Sequence, residues 1–470
     1  MVATDKKTEF SDVLVLLPGL MGSVLERDGR VLWGTSKRHI LRVLWRRGAP
    51  IKELLLPRDS PEDEPVDDIV ATRLIDDVQI IPGWWKIDGY SGIRAGLQSR
   101  LTVTPGKNYF EFPYDWRRDI RSTAKRLRRL ALRWLADWRE SSGNKDARLV
   151  LVGHSMGGLV SRYFLECLGG RDYTRSLFTL GTPHRGAVSS YARLVNGFTL
   201  KLGPLRFDLA EFARSVTSAY QLAAVWPSLD MGDGTLRRFA EVTGLPHVDT
   251  ARAKDALALH REIAARFLGP GGTLRRVDHG YKLVPIVGTR QKTTVSAVFR
   301  DGQIRQRNEL NGKEIDGDGT VSRLSATPWE MSQDGDEIFF ATKHAALQNS
   351  EAVQHHIDGV LSSVGLDLLS AFDEQVTLGL EIEDIFSVGE PVSLTLSPSE
   401  DPGPLDIEIV SLDGDEVVQR GTAEGSRLAD AIEFPPLAEG MYRVRVRGGE
   451  GVSPIEDLFT VFDTAADEAG

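Results

Sequence analysis

The sequence predicts an α/β protein: a doubly wound, mostly parallel sheet with a helical cap or lid inserted into it, followed by a separate all-β sandwich. Three observations carry this prediction. Short apolar, β-branched runs alternate with amphipathic helical patterns over the first 370 or so residues. Between about 187 and 275 that rhythm is replaced by helical patterns broken at Gly and Pro. From 371 onward the chain turns to short alternating strands, as in a small antiparallel sandwich.

At 470 residues the chain is too long for one ordinary domain and ample for a large core. The expected division is residues 1–368 and 371–464. Charge supports it: residues 371–470 hold 23 Asp or Glu, five Arg and no Lys, a net of −18, against −10 for the whole chain. The first 370 residues therefore carry a net of +8 and form a different object from the acidic tail. The one cysteine, Cys167, excludes an intrachain disulfide and reads as a small core residue. No window approaches 18 apolar residues, so the expectation is a cytoplasmic chain, with peripheral contact at an anionic membrane surface as a further one.

Taken in order, Val13 to Leu17 is a short buried strand ending in Pro18-Gly19-Leu20-Met21-Gly22. Residues 33–68 are expected to supply one cap element. Within it, 33–48 is a basic amphipathic helix, packed on the main body or lying on an anionic surface, and 56–68 is an exposed Pro/Asp/Glu-rich loop. Trp84 and Trp85, beside Gly83, suggest a core plug or a wall of an apolar substrate cleft. Tyr109 to Phe112 is a strand leading into Pro113-Tyr114-Asp115-Trp116-Arg117, and a long arginine-rich helix runs from about Ile120 to Ser141. Leu149 to Val152 is a buried strand that stops at Gly153-His154-Ser155-Met156-Gly157, with a helix directly behind it. Ser176 to Leu180, Leu283 to Val287 and Glu337 to Ala341 continue the sheet, and the second cap element spans 187–275.

Strand, Gly-x-Ser-x-Gly turn and helix is the context of a nucleophile elbow. The pattern alone is weak, since roughly 0.3 matches arise by chance in a chain this rich in glycine. Its context singles out Ser155 as the candidate nucleophile, with the Met156 N–H aimed at a developing oxyanion. The turn after the first strand offers the Leu20 N–H as a second oxyanion donor. A serine needs a base, and the base needs a carboxylate. His154 lies inside the elbow and points away, and His184 follows too soon. His247, His260 and His279 fall in or beside the insertion. That leaves His344, just after a strand, ahead of the paired His355 and His356. The acid should precede it, and Asp318 in Glu314-Ile315-Asp316-Gly317-Asp318-Gly319-Thr320-Val321 is preferred over Asp316. A calcium loop is rejected there, because Thr320 and Val321 replace a ligand and the required glycine. No metal and no diffusible cofactor is expected.

With these residues placed, the chain resembles the lecithin:cholesterol acyltransferase and lysosomal phospholipase A2 family of α/β-hydrolases. Five segments carry the resemblance: Leu17 to Gly22, Phe112 to Arg117, Gly153 to Gly158, Gly317 to Val321, and His344 with His356-Ile357 behind it. The resemblance implies Ser155 as nucleophile, Asp318 and His344 as its partners, and Leu20 and Met156 as oxyanion donors. It implies a serine esterase on lipid acyl esters, with water or a lipid alcohol as acceptor. The chain departs from the animal relatives in lacking a cysteine pair to pin a lid. Its acidic tail resembles a bacterial immunoglobulin-like module outside the family core and is a candidate protein-partner surface. Rival readings are a small-ester or thioester hydrolase, a GPI-inositol-deacylase-like or intracellular effector enzyme, and a non-catalytic scaffold. No nucleic-acid partner is expected.

Overall fold

The structure is a computed structural model that describes residues 7–34, 52–76, 78–81, 85–202, 205–267, 280–331, 338–340, 342–362, 376–414, 416–424, 430–449 and 451–462. Its centre is a six-stranded sheet of β1 (Val13–Leu17), β2 (Tyr109–Glu111), β3 (Leu149–His154), β4 (Thr174–Leu180), β5 (Lys282–Gly288) and β6 (Ile338–Phe340). The strand order is β6-β5-β4-β3-β1-β2, and every pairing is parallel. The order reverses at β1, as in a doubly wound sheet, and the carboxyl ends of the strands form the edge where ligands bind in such folds.

The continuous apolar strands are explained by burial on both faces. Val13, Val15 and Leu17 of β1 face one core, with Leu149 and Leu151 of β3. Leu14 and Leu16 face the other, with Val150 and Val152. The first core is closed by helices α1 (Ile120–Ser142) and α2 (Met156–Cys167). The second is closed by helices Ser91–Arg100 and Glu351–Ser362. Helix α1 starts where Asp119 accepts from the Arg121 N–H and ends at Gly143 in the left-handed region (φ 74°). Its outer face is solvated at Arg128, Arg129 and Arg133, and it also meets the acidic loop ahead of it: Lys125 pairs with Glu62 and Arg129 with Asp63.

Two expectations need correction. Trp33 is not the start of a helix. It ends the strand Arg30–Trp33 and packs edge-on to Trp116 at 5.6 Å, with its indole N–H donating to the Met21 carbonyl. The rest of the expected basic helix, 35–51, lies outside the described residues. The inserted segment after 187 is not purely helical either. Helices Val188–Asn196, Ala210–Ser215, Thr217–Gln221 and Thr250–Ala264 alternate with short strands, one of which (Leu229–Asp230) pairs with Ser296–Arg300. The helical pattern around 210–221 is divided in two because Val216 takes an extended conformation (φ −70°, ψ 120°).

Beyond 375 the regular elements of the described residues are all β-strands. A three-stranded sheet (Leu378–Ile382, Val392–Pro398, Ile432–Phe434) and a five-stranded sheet enclose one core. On Gly440–Arg447 the alternation is as the sequence reads: Tyr442, Val444 and Val446 are buried, and Arg443, Arg445 and Arg447 point outward. One pair, Ile385–Ser387 with Ile455–Phe462, is parallel rather than antiparallel. Among the described residues no helix is long and apolar enough to cross a membrane.

Candidate active site

Ser155 sits where β3 passes into α2, at φ 50° and ψ −121°, a strained conformation for a residue with a side chain. The neighbouring glycines make the turn physically accessible. A Cβ on Gly157 would lie 2.5 Å from the Pro18 carbonyl oxygen, and one on Gly153 would lie 2.7 Å from the Gly158 nitrogen. One on Gly158 would overlap the Thr182 hydroxyl. The Ser155 N–H is anchored to the Leu180 carbonyl at 2.8 Å, so the strained residue is fixed to the sheet.

His344 comes from the loop after β6, and Asp318 from the loop after β5. His344 Nε2 accepts from the Ser155 hydroxyl at 2.9 Å, and Nδ1–H donates to Asp318 Oδ2 at 2.6 Å. The other Asp318 oxygen accepts from the Thr320 and Val321 N–H groups at 2.9 and 2.7 Å. The His344 N–H donates to the Asp318 carbonyl at 2.9 Å, locking the two loops together. Gly181, at φ 56°, lets them approach: a Cβ there would stand 2.8 Å from Asp318 Oδ2 and 3.0 Å from His344 Nδ1. Asp318 is buried, whereas Asp316 turns away and accepts from the Arg290 N–H at 2.8 Å.

Leu20 lines the pocket above Ser155, and Met156 begins α2. Neither backbone N–H has an acceptor among the described residues. Tyr114 and Trp116 hold the turn that carries Leu20: the Tyr114 hydroxyl donates to the Pro18 carbonyl at 2.7 Å, and the Trp116 indole N–H to the Ser23 carbonyl at 3.2 Å. Arg117, fully buried, forks onto Asp115 and Asp67 and donates to the Leu54 carbonyl.

His154 has a positioning role that its place inside the elbow concealed. Its Nε2 faces the His344 carbonyl at 3.2 Å; a carbonyl only accepts, so Nε2 carries the proton. Nδ1 then accepts from the Tyr90 hydroxyl at 2.9 Å, and the Tyr90 oxygen accepts from the Gly19 N–H at 2.7 Å. One chain of hydrogen bonds thus joins the Leu20 turn, the elbow and the His344 loop. Burial pushes the His154 imidazole down to about 3, and the neighbouring His344 adds to that, so His154 stays neutral. His356, on the helix Glu351–Ser362, is held at about 4 by burial and Lys282, while His355 is exposed. Cys167 is half-buried and its thiol is pushed up to about 12 by burial, an inert group.

A pocket of about 330 Å³ opens over Ser155 and His344. The inserted segment supplies Ala187, Arg193 and Leu222 to its wall, and the C-terminal strands supply Leu380 and Ile382. The C-terminal region is docked closely here. Gln291, beside the Asp318 loop, accepts from the Leu380 N–H at 3.3 Å, and Lys86 bridges Asp384 and Asp457 at 2.8 and 2.6 Å. The acidic tail and the basic body evident in the sequence therefore meet as ion pairs at the rim of the site. Trp84 lies outside the described residues. The backbone of Trp85 is in the strand Trp85–Ile87 but its side chain is outside them, so the tryptophan wall receives no geometry. A second concavity, about 540 Å³ on the C-terminal sheet, is lined by charged side chains such as Arg420 and Glu408, which pair with each other. Among the described residues no cluster of His, Cys, Asp and Glu is arranged to hold a metal ion.

The sequence order that pointed to Ser155, Asp318 and His344 thus names three side chains that touch in a row. Tyr90 escaped sequence reasoning, because no motif marks it and its partners, Gly19 and His154, lie far along the chain.

Comparison with known proteins adds the following. Residues 99–234 match the family model for lecithin:cholesterol acyltransferase. No curated protein matches the chain. Among solved structures, the chain is similar to the product of the gene lin2722 from Listeria innocua (13% identity, 76% of this chain and 96% of that one, TM-score 0.29). It is also similar to Bacillus licheniformis lipase BlEst2 in propeptide form (11% identity, 97% and 95%, TM-score 0.28). A third is the peroxisomal α/β-hydrolase Lpx1 from Saccharomyces cerevisiae (14% identity, 78% and 81%, TM-score 0.24). The matched stretch, residues 99–234, holds both the Tyr114 to Arg117 motif and the Ser155 elbow, and over it the chain is similar to the lecithin:cholesterol acyltransferase family.

Proposed function

We propose that the chain is a serine hydrolase or O-acyltransferase acting on lipid acyl esters through an acyl-enzyme on Ser155. The observation that carries this reading is the position of His344, whose two ring nitrogens meet Ser155 Oγ at 2.9 Å and Asp318 Oδ2 at 2.6 Å. Ser155 Oγ attacks the ester carbonyl carbon while its proton passes to His344 Nε2. Asp318 stays ionised, holds the imidazole through Nδ1–H and stabilises its charged form. The N–H groups of Leu20 and Met156, which have no acceptor among the described residues, bind the oxyanion. Collapse of the tetrahedral intermediate breaks the ester C–O bond, and the leaving alkoxide takes the proton from His344. Water or a lipid alcohol then gives its proton to His344 and attacks the acyl carbon, and Ser155 Oγ leaves with that proton.

The family match over residues 99–234 supports a lipid ester as the class of substrate. The apolar wall formed by Leu20, Leu222, Leu380 and Ile382 supports it as well. In the same reading, residues 1–368 form the catalytic body and 371–464 an immunoglobulin-like module.

The test is direct. Ser155→Ala abolishes fluorophosphonate labelling and p-nitrophenyl ester cleavage, and Asp318→Asn lowers kcat roughly 10⁴-fold through the wrong imidazole tautomer. Full activity in Ser155→Ala would sink the assignment. Activity should rise with acyl-chain length and on vesicles; a preference for acetyl and butyryl esters in solution would move the reading to a small-ester hydrolase.

A further inference from the structure

The strand Leu378–Ile382 is the edge of its three-stranded sheet, and an edge strand leaves one row of backbone N–H and C=O groups to be met from elsewhere. Residues 290–292, just after β5, meet them here. The Leu380 N–H donates to Gln291 Oε1 at 3.3 Å, and Gln291 Nε2 donates to the Leu378 carbonyl at 3.4 Å. Chemistry fixes that orientation of the amide, because a backbone N–H only donates and a carbonyl only accepts. The side chain thus bonds to the groups on either side of Gly379, as one residue of a parallel neighbouring strand would. Gly379 permits the approach: a Cβ there would stand 2.9 Å from the Arg290 carbonyl oxygen. Lys292, next along, pairs with Glu381 at 2.7 Å.

The main chain of the same residue holds the loop that carries Asp318. Gln291 is buried, and its N–H donates to the Gly317 carbonyl at 3.0 Å. Its own carbonyl accepts from the Gly317 N–H at 3.1 Å and from the Thr293 hydroxyl at 2.9 Å, and that hydroxyl accepts from the Gly319 N–H at 2.9 Å. Both neighbours of Asp318 are therefore fixed to residues 291–293, and the Asp318 carbonyl takes the His344 N–H at 2.9 Å. A buried residue bonded to the C-terminal strand on one side and to the acid loop on the other passes a displacement of either to its partner, because a close-packed interior has little slack.

We propose that Gln291 is a positioning residue, through which the strand Leu378–Ile382 fixes the Asp318 loop in register with His344. The C-terminal region is then a working part of the site and not an appended unit. This deepens the proposed function and rests on that reading for the role of Asp318. Gln291 also borders the pocket over Ser155, so its action through Asp318 has to be separated from a contact with substrate.

The experiment compares the full chain as wild type, Gln291→Met and Gly379→Ala, each alone and combined with Asp318→Asn. Methionine fills the space of glutamine without its two hydrogen bonds, and Gly379→Ala presses the strand off Arg290 from the other side of the contact. The readouts are the rate of fluorophosphonate labelling and hydrogen exchange over residues 317–321. Each variant is expected to slow labelling at least tenfold on its own and about twofold or less alongside Asp318→Asn, because a residue that acts through Asp318 then has nothing left to position. Exchange over 317–321 quickens in both variants. Should Gln291→Met fail to fold by circular dichroism, Gly379→Ala carries the same comparison. An equal fold-loss in both backgrounds overturns the proposal, since a substrate contact or a general loosening would act with or without Asp318. Unchanged labelling or unchanged exchange overturns it as well. A wild type that fluorophosphonate does not label would strike the serine mechanism, and exchange over 317–321 would still uphold or overturn the brace, so the two failures are distinct.

Discussion

Lys343, the residue immediately before His344, places its ammonium 2.6 Å from Asp457 of the C-terminal sheet. The same carboxylate takes Lys86 at 2.6 Å, and Asp457 is only 1% exposed. The backbone that positions the imidazole is therefore tied to a strand more than a hundred residues away. Asp457→Asn leaves two ammonium groups facing a neutral amide at a nearly dry site, and losing one member of such a cluster costs on the order of 3 kcal/mol. We expect a lower Tm and at least a tenfold fall in kcat, read from thermal unfolding and steady-state kinetics. Unchanged kcat in a destabilised variant would show that the clamp does not reach His344.

Tyr90→Phe removes the hydroxyl that accepts from Gly19 and donates to His154. A buried N–H and a buried ring nitrogen lose their partner, each costing about 1–3 kcal/mol. The Leu20 turn loosens while the pocket wall stays. The expected outcome is a drop of about tenfold or more in kcat with KM nearly constant. A change confined to KM would refute the positioning role.

Gly157→Ala probes the closeness of the elbow to the Leu20 turn. The added methyl would meet backbone, the Pro18 carbonyl at 2.5 Å and the Leu17 carbonyl at 2.8 Å, and backbone yields less readily than a flexible side chain. Overpacking of this kind costs about 1–3 kcal/mol. Loss of fluorophosphonate labelling from a chain that retains its circular dichroism is the expected result.

Acid should weaken the fold through His154. Burial holds its folded-state value near 3, below the 6.5 of a free imidazole, so the unfolded chain binds the proton more readily. The contribution of neutral His154 is intact above pH 6.5 and drains away as pH falls toward 3, by up to about 1.4 kcal/mol per pH unit. His184 and His260, also lowered by burial, act in the same direction. Denaturant titrations of the wild type and His154→Gln between pH 7 and 4 should give a shallower slope in the variant. Equal slopes would remove His154 from the account.

The ion-pair cluster at Asp457 titrates elsewhere. Burial opposes its charge, but Lys86 and Lys343 outweigh burial and hold the carboxyl below its usual range. Its contribution is complete above pH 4 and is lost only as pH falls through that depressed value. Lys86 loses part of its charge preference to burial and more than regains it from Asp457 and Asp384, so its share is complete below pH 10.5 and lost as pH rises beyond it.

The sequence by itself determined what depends on local pattern and on order along the chain. Apolar runs with period two or none had to become buried strands, Gly153 and Gly157 had to flank a tight turn, and a base behind an acid behind a nucleophile left His344 and Asp318 as first choices. Tertiary structure decided the rest, because it rests on contacts between residues that no local pattern links. The Gly19–Tyr90–His154–His344 chain joins four separate segments, and the docking of Leu380 and Asp457 beside the site joins the two ends of the molecule. Charge makes the contrast sharpest. The sequence shows a basic body and an acidic tail, but which cations the tail neutralises is fixed by distances of a few ångströms in the fold, where Coulomb energy is decided. That selection satisfies Lys86, Lys343 and Lys292 around the pocket over Ser155.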